Sequence, residues 1–389
     1  MGVPIYGIIA LTNTATDKEG RSVPAPGQGI LTTAREVPGK LPSPMLDVNY
    51  RRRQLTQRRQ QIEQWVEQEY QFLHEELTSL KASGQFPTAE ASEADYLAER
   101  TRHIEQEAKR QEKEALNTWG NFFYRNNPHI APLRGALASF GLTVDDIGAA
   151  SFHGTSTKAN DKNESDVLNK QFAHLGRTPG NACPSIFQKY LTGHPKAPAA
   201  AWMLNGLLQV LETGIIPGNR NADNIDEMFE QYEYVLYPSR SIHTDGVKAG
   251  LLKSFGFGQV GSEILVVHPD YLFGALDEMT YNTYCAKNTN REAKAYRYWH
   301  DAMAGVSSFF QAKSEAPYSD ALETQVYLNP FARADYDTKR RTYVFDEAGL
   351  ALPTTDTAVA EQMVQALATN AQQNMGDRGV GVDVELVGN

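Results

Sequence analysis

Cysteine is scarce in this sequence of 389 residues, which contains only Cys183 and Cys285. Neither belongs to a C-x-x-C motif, which excludes a disulfide-stapled scaffold and a cysteine-based structural zinc site and favours a reducing cytosol. No apolar run approaches the roughly 20 residues of a membrane-spanning helix, and the N-terminus lacks the basic-then-apolar pattern of a secretion signal. We therefore expect a cytoplasmic protein that does not enter a membrane.

Basic residues are fewer than acidic ones. The chain has 37 Lys and Arg residues against 47 Asp and Glu residues, and the resulting net charge of −10 argues against a nucleic-acid binder. The chain contains neither G-x-x-x-x-G-K-[ST] nor G-x-S-x-G, and His74-Glu75-Glu76 does not complete an H-E-x-x-H zinc motif. Hydrophobic residues make up 41% of the chain, which is enough for most of it to fold into two or three domains.

The first 125 residues contain two different patterns. Within 1–44, the β-branched run 3–11 predicts a buried strand of a mixed or parallel sheet, and such a start suggests further sequence upstream. Within 45–125, apolar residues recur every three or four positions over 62–80, and a second, more polar helix is predicted over 93–116. The two helices predict an antiparallel hairpin. It is either a solvated insertion or an assembly arm, and we favour the arm because thin apolar stripes need a partner.

Residues 126–275 alternate between short strands and helices, which indicates a layered α/β domain. Strands are predicted at 149–152, 234–236, 251–255 and 264–267, and helices near 164–175 and 199–212. Residues 276–350 are aromatic and charged without a clear period. Residues 351–377 suit a linker, and 378–389 begin a pattern typical of a new strand.

Three short segments of the α/β region carry polar residues typical of functional sites. His153-Gly-Thr-Ser-Thr157 follows a predicted strand, where α/β proteins build ligand sites. Lys189-Tyr-Leu-Thr-Gly-His194 leads into an Ala-rich helix, and Ser254-Phe-Gly-Phe-Gly-Gln259 contains glycines that permit close backbone approach. Taken singly, each has a structural explanation: a hydrogen-bonded loop histidine, a surface lysine, a sharp turn. Residues 256–261 also match G-x-G-x-x-G, but a strand follows, so no helix N-terminus is available for a dinucleotide.

Taken together and in this order, HGTST, KxxTGH and SFGFG resemble the C-terminal half of β-ketoacyl synthases, which have the thiolase-like fold. One branch, the α subunit of fungal type I fatty acid synthase, is similar in six segments: GVPIYGIIALTNTATDKEGRSVPAPGQG, HGTSTKANDKNESD, TGHPK, GIIPGNRNADN, YPSRSIHTDGVKA and SFGFGQ. The resemblance implies an α/β fold class: half of a layered α-β-α, thiolase-like fold with an α-helical hairpin insertion.

The resemblance also implies a division of the chain. Residues 1–44 would end the N-terminal half of the synthase, and 45–125 would be the scaffold insertion. Residues 126–275 would form the C-terminal half and 276–350 a scaffold extension. Residues 378–389 would start a phosphopantetheinyl transferase domain.

The catalytic roles implied by the resemblance fall on four residues. His153 and His194 would donate hydrogen bonds to the thioester oxygen as negative charge develops there. Lys189 would orient them, with Glu164 as its ion-pair partner. The implied reaction is decarboxylative Claisen condensation of acyl and malonyl groups on acyl carrier protein, as part of fatty acid biosynthesis.

Five further residues would support this reaction by the same resemblance. Thr155 and Thr157 would hydrogen-bond the pantetheine arm of the substrate. Phe257 would gate the acyl pocket, and Gly256 and Gly258 would allow its loop to move.

The cofactor and partner expectations follow from the same family. Condensation needs no cofactor besides the phosphopantetheine carried by acyl carrier protein, and the partners would be that carrier protein, the β subunit and other α subunits of the synthase. Two alternatives stay open: a specialised synthase that makes a short starter unit for a secondary metabolite, and a non-catalytic scaffold fragment.

Two departures from the family pattern and one incomplete site affect these expectations. The nucleophilic cysteine of the family belongs to the N-terminal half, so we expect Cys183 to be a buried strand residue and the chain to be inactive alone. Pro195-Lys-Ala-Pro198 replaces a glycine-containing GAAG segment, which would narrow the packing near the site. Asp383, Val384 and Glu385 resemble the Mg²⁺ ligands of the transferase, but here they would form an incomplete site.

Overall fold

The structure is a computed structural model that describes residues 1–17, 26–39, 43–84, 93–256, 259–310, 334–339 and 342–345. The chain forms two compact units, residues 1–293 and 294–389. The helices are α1 (Val48–Ser83), α2 (Glu93–Trp119), α3 (Pro132–Ala138), α4 (Lys158–His174), α5 (Lys189–Thr192), α6 (Ala199–Thr213), α7 (Asp270–Phe273) and α8 (Glu278–Met303). The strands of the first unit are β1 (Ile8–Thr16), β2 (Ile147–Ser151), β3 (Cys183–Ile186), β4 (Ile215–Ile216), β5 (Val235–Leu236), β6 (Ile242–His243), β7 (Ala249–Gly256) and β8 (Val260–Val267). In the second unit, β9 (Ala334–Asp337) and β10 (Thr342–Phe345) pair antiparallel.

The centre of the first unit is a six-stranded mixed sheet with the strand order β1-β8-β7-β2-β3-β5. Strands β7, β2, β3 and β5 run parallel to one another. Strand β8 is antiparallel to both β7 and β1. Because parallel strands end at the same edge of a sheet, the segments that follow β2 and β3 emerge there, beside the carboxyl end of β7.

Helices cover both faces of this sheet. Successive residues of a strand point to opposite faces: Leu251 packs in a cluster with Leu137 of α3 and Phe172 of α4, whereas Leu252 packs in another with Leu207 of α6. Each cluster fills the space between the sheet and the helices on one face, so the unit has three layers: helix, sheet and helix. The predicted α/β fold class is therefore confirmed.

The predicted helical hairpin is present as α1 and α2. The Asp47 side chain accepts a hydrogen bond from the backbone N–H of Asn49 at 2.8 Å and begins α1, and Gly84 ends it in the left-handed region with φ +66°. The apolar stripe of α1, with Leu73 as its most buried member, packs against Ile104 of α2. The stripe thus has a partner within the hairpin itself, and contact with another subunit stays a prediction.

Arg51 attaches the hairpin to the layered core. Its side chain is 2% exposed, and it donates hydrogen bonds to the backbone carbonyls of Met45 and of Ala138, the latter at 3.0 Å. The guanidinium also lies 3.9 Å from the centre of the Phe123 ring. Burial lowers the pKa of Arg51 to about 10, against the opposing charge of Asp47.

Strand β1 and helix α8 are two of the elements that differ from the sequence prediction. Strand β1 occupies Ile8–Thr16 instead of 3–11, and it pairs with β8 from Ile8 opposite Val267 to Thr16 opposite Val260. It lies at the end of the strand order and is half-buried. Helix α8 lies in a segment for which no period was expected. Only Ala302 of this helix is buried. Because α8 buries so little, its sequence need not show the periodic apolar stripe of a core helix.

No helix in the described ranges is both long enough and apolar enough to cross a lipid bilayer. The predicted linker 351–377 and the predicted strand 378–389 lie outside the described residues.

We predict that Arg51→Ala lowers the free energy of unfolding by about 2–3 kcal/mol, because two buried carbonyls lose a charged donor. The neighbouring Arg52→Ala is the matched control, since Arg52 is exposed, and it should change stability by less than about 0.5 kcal/mol. Urea unfolding of the three proteins measures both values, and equal effects of the two substitutions would contradict the anchoring role of Arg51.

Candidate active site

The first part of the site is the loop that leaves β2. Phe152 is buried and its ring stacks on that of Phe187, with 4.8 Å between the ring centroids. Gly154 follows with φ +56°, and a Cβ atom there would lie 3.0 Å from the Phe187 ring. The turn and the close aromatic neighbour both require glycine at this position. The loop therefore fixes the backbone of His153 at the carboxyl end of β2.

Glu164 holds this loop from α4. Its carboxyl accepts hydrogen bonds from the backbone N–H of His153 at 2.5 Å, from the backbone N–H of Gly154 at 2.8 Å, and from the side-chain amide of Asn160. Glu164 is completely buried, and burial raises its pKa to about 8 although the hydrogen bonds from Gly154 and His153 oppose the shift.

The direct ion pair predicted between Glu164 and Lys189 is absent from the ion pairs found among the described residues. The backbone N–H groups of the loop and the Asn160 amide take the Glu164 oxygens instead. When ionised, Glu164 still acts on Lys189 at longer range, because its negative charge raises the pKa of Lys189 against the larger lowering by burial.

Lys189 follows β3 and points back towards the first loop. Its ammonium donates to the backbone carbonyl of His153, lies 3.4 Å from His153 Nδ1, and donates to Met203 Sδ at 3.1 Å. The side chain is 7% exposed. An ammonium has three N–H donors, and each one has a neighbour here, which makes burial of the charge tolerable.

His194 completes the group. Its ring lies edge-to-face with that of His153, with centroids 5.2 Å apart and planes at 86°. His194 is exposed, and its Nδ1 accepts a hydrogen bond from the backbone N–H of Lys196 at 3.2 Å. A backbone N–H can only donate, and so can the ammonium beside His153 Nδ1. In both neutral rings, Nε2 therefore carries the proton.

Both imidazoles are held in the neutral form. Burial, followed by the positive charge of Lys189 and by His194, lowers the pKa of His153 to about 3. Burial also lowers the pKa of His194, together with the charges of Lys189 and Lys196. At neutral pH the site therefore presents two neutral Nε2–H donors next to a buried ammonium.

The predicted substrate-binding residues lie on the same loop, further from the sheet. The hydroxyl oxygens of Thr155 and Thr157 are 3.3 Å apart, and both residues are at least partly exposed. Ser156 between them is in the left-handed region, with φ +57°, a strained conformation for a residue other than glycine. The two hydroxyls thus face outward together, within reach of a molecule approaching the loop.

Among the remaining predicted site residues, the structure describes Gly256, which is the exposed last residue of β7. Phe257 and Gly258 lie outside the described residues, as do Asp383, Val384 and Glu385. In the part of the chain that the structure describes, no three His, Cys, Asp or Glu side chains form a group able to hold a metal ion.

The two cysteines and the departure at Pro198 also have definite places. Cys183 is the first residue of β3, completely buried, and burial raises the pKa of its thiol to about 12. It is a core residue, as predicted, and not an activated nucleophile. Cys285 lies half-buried on α8. Pro198 is the residue immediately before α6, where its missing N–H costs nothing.

Sequence reasoning missed two residues that support the site. The Ser254 hydroxyl on β7 lies 3.1 Å from His153 Nδ1. Asn219 accepts a hydrogen bond from the backbone N–H of Phe187 and donates to the carbonyl of Ser185, both at 2.9 Å, so it fixes the exit of β3 towards Lys189. Both lie within segments that carry the family resemblance, but their partners depend on the order of the strands.

We predict that His153 makes the stability of the chain fall in acid. The pKa of about 3 in the folded state is below the ordinary 6.5, so its contribution is complete above pH 6.5 and is lost as the pH falls towards 3. Between pH 7 and pH 5 the loss should be about 2 kcal/mol. Chemical unfolding at both pH values should show that His153→Gln lacks this loss. The exposed His174→Gln should retain it, and a His153→Gln profile parallel to that of the unmodified chain would contradict the prediction.

Comparison with known proteins finds sequence similarity over this region. Residues 117–223, which contain His153, Lys189 and His194, match the family model "Beta-ketoacyl synthase, C-terminal domain". Fatty acid synthase subunit alpha of Lachancea kluyveri is 54% identical over 398 residues, that of Penicillium patulum 54% over 391, and that of Saccharomyces cerevisiae 52% over 393. Each comparison covers 100% of this chain but only 20%, 21% and 20% of the relative, respectively. The chain thus spans about a fifth of the length of these curated relatives.

Among solved structures, the noncanonical ketosynthase FabY from P. aeruginosa is similar with a TM-score of 0.45 and 19% identity, over 78% of this chain and 33% of that one. The similarity predicted from the sequence motifs is confirmed: the chain is similar along its full length to fungal fatty acid synthase α subunits, and its central part matches a ketoacyl synthase C-terminal domain.

Proposed function

We propose that this chain supplies the C-terminal half of a β-ketoacyl synthase, an acyltransferase that condenses acyl and malonyl groups on acyl carrier protein in fatty acid biosynthesis. The observation that carries the proposal is the pair of neutral imidazoles, His153 and His194, which meet edge-to-face at 5.2 Å beside the buried ammonium of Lys189. Such a pair suits a reaction that develops negative charge on a thioester oxygen without taking up a proton.

The proposed reaction has two steps. The malonyl thioester loses CO₂, and the electron pair of the broken C–C bond forms an enolate whose oxygen becomes negative. The enolate carbon then attacks the acyl thioester held on a cysteine, a new C–C bond forms, and the thiolate leaves. The Nε2–H groups of His153 and His194 donate to the enolate oxygen, which is stabilisation of the oxyanion-hole type.

The low histidine pKa values serve this role. A neutral imidazole donates a hydrogen bond and keeps its proton, whereas an imidazolium beside Lys189 would place two positive charges in contact. The ammonium of Lys189 supplies the positive potential that favours the enolate, and Glu164 keeps the loop of His153 in place through two backbone N–H groups.

We propose that the nucleophilic cysteine lies in a part of the synthase outside this chain. Cys183 is unsuitable because it is completely buried with a raised thiol pKa, and a buried neutral thiol neither reaches a substrate nor forms a thiolate. The chain alone should therefore be inactive in condensation.

The partners that we propose follow from the outward-facing part of the site. Acyl carrier protein would present its phosphopantetheine arm to the hydroxyls of Thr155 and Thr157, and Phe257 would gate the acyl chain. The α1–α2 hairpin would contact other α or β subunits of a cytosolic fatty acid synthase. Mg²⁺ would bind at Asp383, Val384 and Glu385 only when a complete phosphopantetheinyl transferase domain is present.

The role of the histidines can be tested in the complete synthase. His153→Ala or His194→Ala should lower the condensation rate about 10²–10³-fold, because one oxyanion donor is lost, while acyl transfer to the cysteine persists. The exposed His243→Ala is the control and should leave condensation unchanged. A histidine variant that condenses at the control rate would disprove the role of that histidine.

The position of Cys183 gives a second prediction. Incubation of this chain with a radiolabelled acyl thioester should leave Cys183 unlabelled, because its thiol is buried and neutral at physiological pH. Mass spectrometry of the peptides locates any label, and Cys183→Ala serves as the blank. Rapid and stable acylation of Cys183 would show that the nucleophile is in this chain after all.

A further inference from the structure

Ser254 is the closest donor to the ring of His153. Its hydroxyl oxygen lies 3.1 Å from His153 Nδ1, whereas the Lys189 ammonium lies 3.4 Å from the same nitrogen. The two approach from different elements: Ser254 lies on β7 and Lys189 at the start of α5. Strand β7 neighbours β2 in the sheet and runs parallel to it, so its carboxyl-terminal residues reach the loop that carries His153.

The neighbouring ammonium decides the direction of the Ser254 hydrogen bond. A serine hydroxyl either donates or accepts, but a lysine ammonium has no lone pair and only donates. The Ser254 oxygen could accept a proton from His153 Nδ1, but that proton would also face the Lys189 ammonium 3.4 Å away, and this positive charge disfavours it. The nitrogen is therefore an acceptor, and the Ser254 hydroxyl donates to it.

Lys189 alone holds the ring less firmly. Its other N–H groups donate to the carbonyl of His153 and to Met203 Sδ at 3.1 Å, and both contacts fix the ammonium in place without aligning the ring. The distance from the Lys189 ammonium to His153 Nδ1, 3.4 Å, is longer than the 3.1 Å from the Ser254 hydroxyl. The shorter bond, from Ser254, is the one that sets the orientation of the imidazole plane.

Strand β7 is a firm support for this bond. Ser254 pairs with Ser262 of β8, and the preceding Lys253 forms a buried ion pair with Glu263, with 3.2 Å between Nζ and Oε2. Both charged side chains are at most 1% exposed. A shift of β7 along the sheet would separate these buried charges at a high cost, so Ser254 stays at a fixed distance from His153.

We propose that Ser254 is a positioning residue that fixes His153 in the Nε2–H tautomer and aims that N–H at the developing enolate oxygen. This inference rests on the proposed function and extends it to a residue outside the motif histidines and lysine. In this role Ser254 acts on the reaction through its contact with His153. Its effect passes through His153, as the outer partner of a catalytic imidazole does in other sites.

The test uses the complete synthase carrying Ser254→Ala or Ser254→Thr, with Ser262→Ala as the matched control. Ser262 lies opposite Ser254 on the neighbouring strand, and its hydroxyl is hydrogen-bonded to the hydroxyl of Thr14, with 3.3 Å between the oxygens. We expect Ser254→Ala to lower kcat for malonyl decarboxylation and condensation about tenfold with an unchanged KM for the malonyl carrier protein. Acyl transfer to the cysteine should persist. Ser254→Thr, which keeps a hydroxyl, should restore most of kcat.

Three results would overturn the inference. The first is a Ser254→Ala enzyme with the kcat of the Ser262→Ala control. The second is a loss confined to KM, and the third is a loss of kcat that Ser254→Thr does not restore, which indicates a packing role only. His153→Ala is measured in parallel. If that variant condenses normally, the proposed function itself fails, and the two failures are thereby distinguished.

Discussion

The parallel alignment of β2, β3 and β7 is the constraint on which the site depends. His153 follows β2, Lys189 follows β3, and Ser254 lies near the end of β7, so residues up to 101 positions apart in sequence meet at one edge of the sheet. Only a parallel arrangement places all three at that edge, because a reversed strand would carry its last residues to the opposite side. Parallel strands are normally buried on both faces of the sheet. Here the helices on the two faces cover them with Leu137, Leu207 and their neighbours.

The same edge requires ionisable groups to be buried, and hydrogen bonds offset the cost of burying them. Glu164 is completely buried, and its oxygens accept from two backbone N–H groups and one amide. Lys189 has three neighbours for its three donors. Burial alone shifts these pKa values towards the neutral forms. The result is a site in which His153 stays neutral because it is buried beside a positive charge, and in which each buried group remains tolerable because it has partners.

The sequence predicts part of this arrangement, and the physical reason for each gap is clear. Helices α1 and α2 are predictable because they are long and periodic, and His153, Lys189 and His194 are recognisable through the order of their motifs. Glu164 was wrongly assigned as the direct ion-pair partner of Lys189. The turn at Gly154 directs two backbone N–H groups to the Glu164 carboxyl instead, and short motifs do not describe such a turn. Ser254 was missed as a partner because its contact depends on β7 lying next to β2, a property of the strand order alone.

Helix α4 contacts both the loop that carries His153 and the strand pair that carries Ser254. Glu164 and Gln171 are seven residues apart, which places them on one face of the helix about 10 Å from each other. Glu164 holds the loop after β2, and Gln171 contacts the buried ion pair of the β7–β8 pair: its amide donates to Glu263 Oε2 at 2.9 Å, and its oxygen accepts from the Lys253 ammonium. One rigid helix therefore fixes both the loop of His153 and the strand of Ser254. A buried ion pair seldom stabilises a fold by itself. The Lys253–Glu263 pair is better explained as a positioning device: through Gln171 it holds β7 against α4 where the Ser254 hydroxyl reaches the His153 ring.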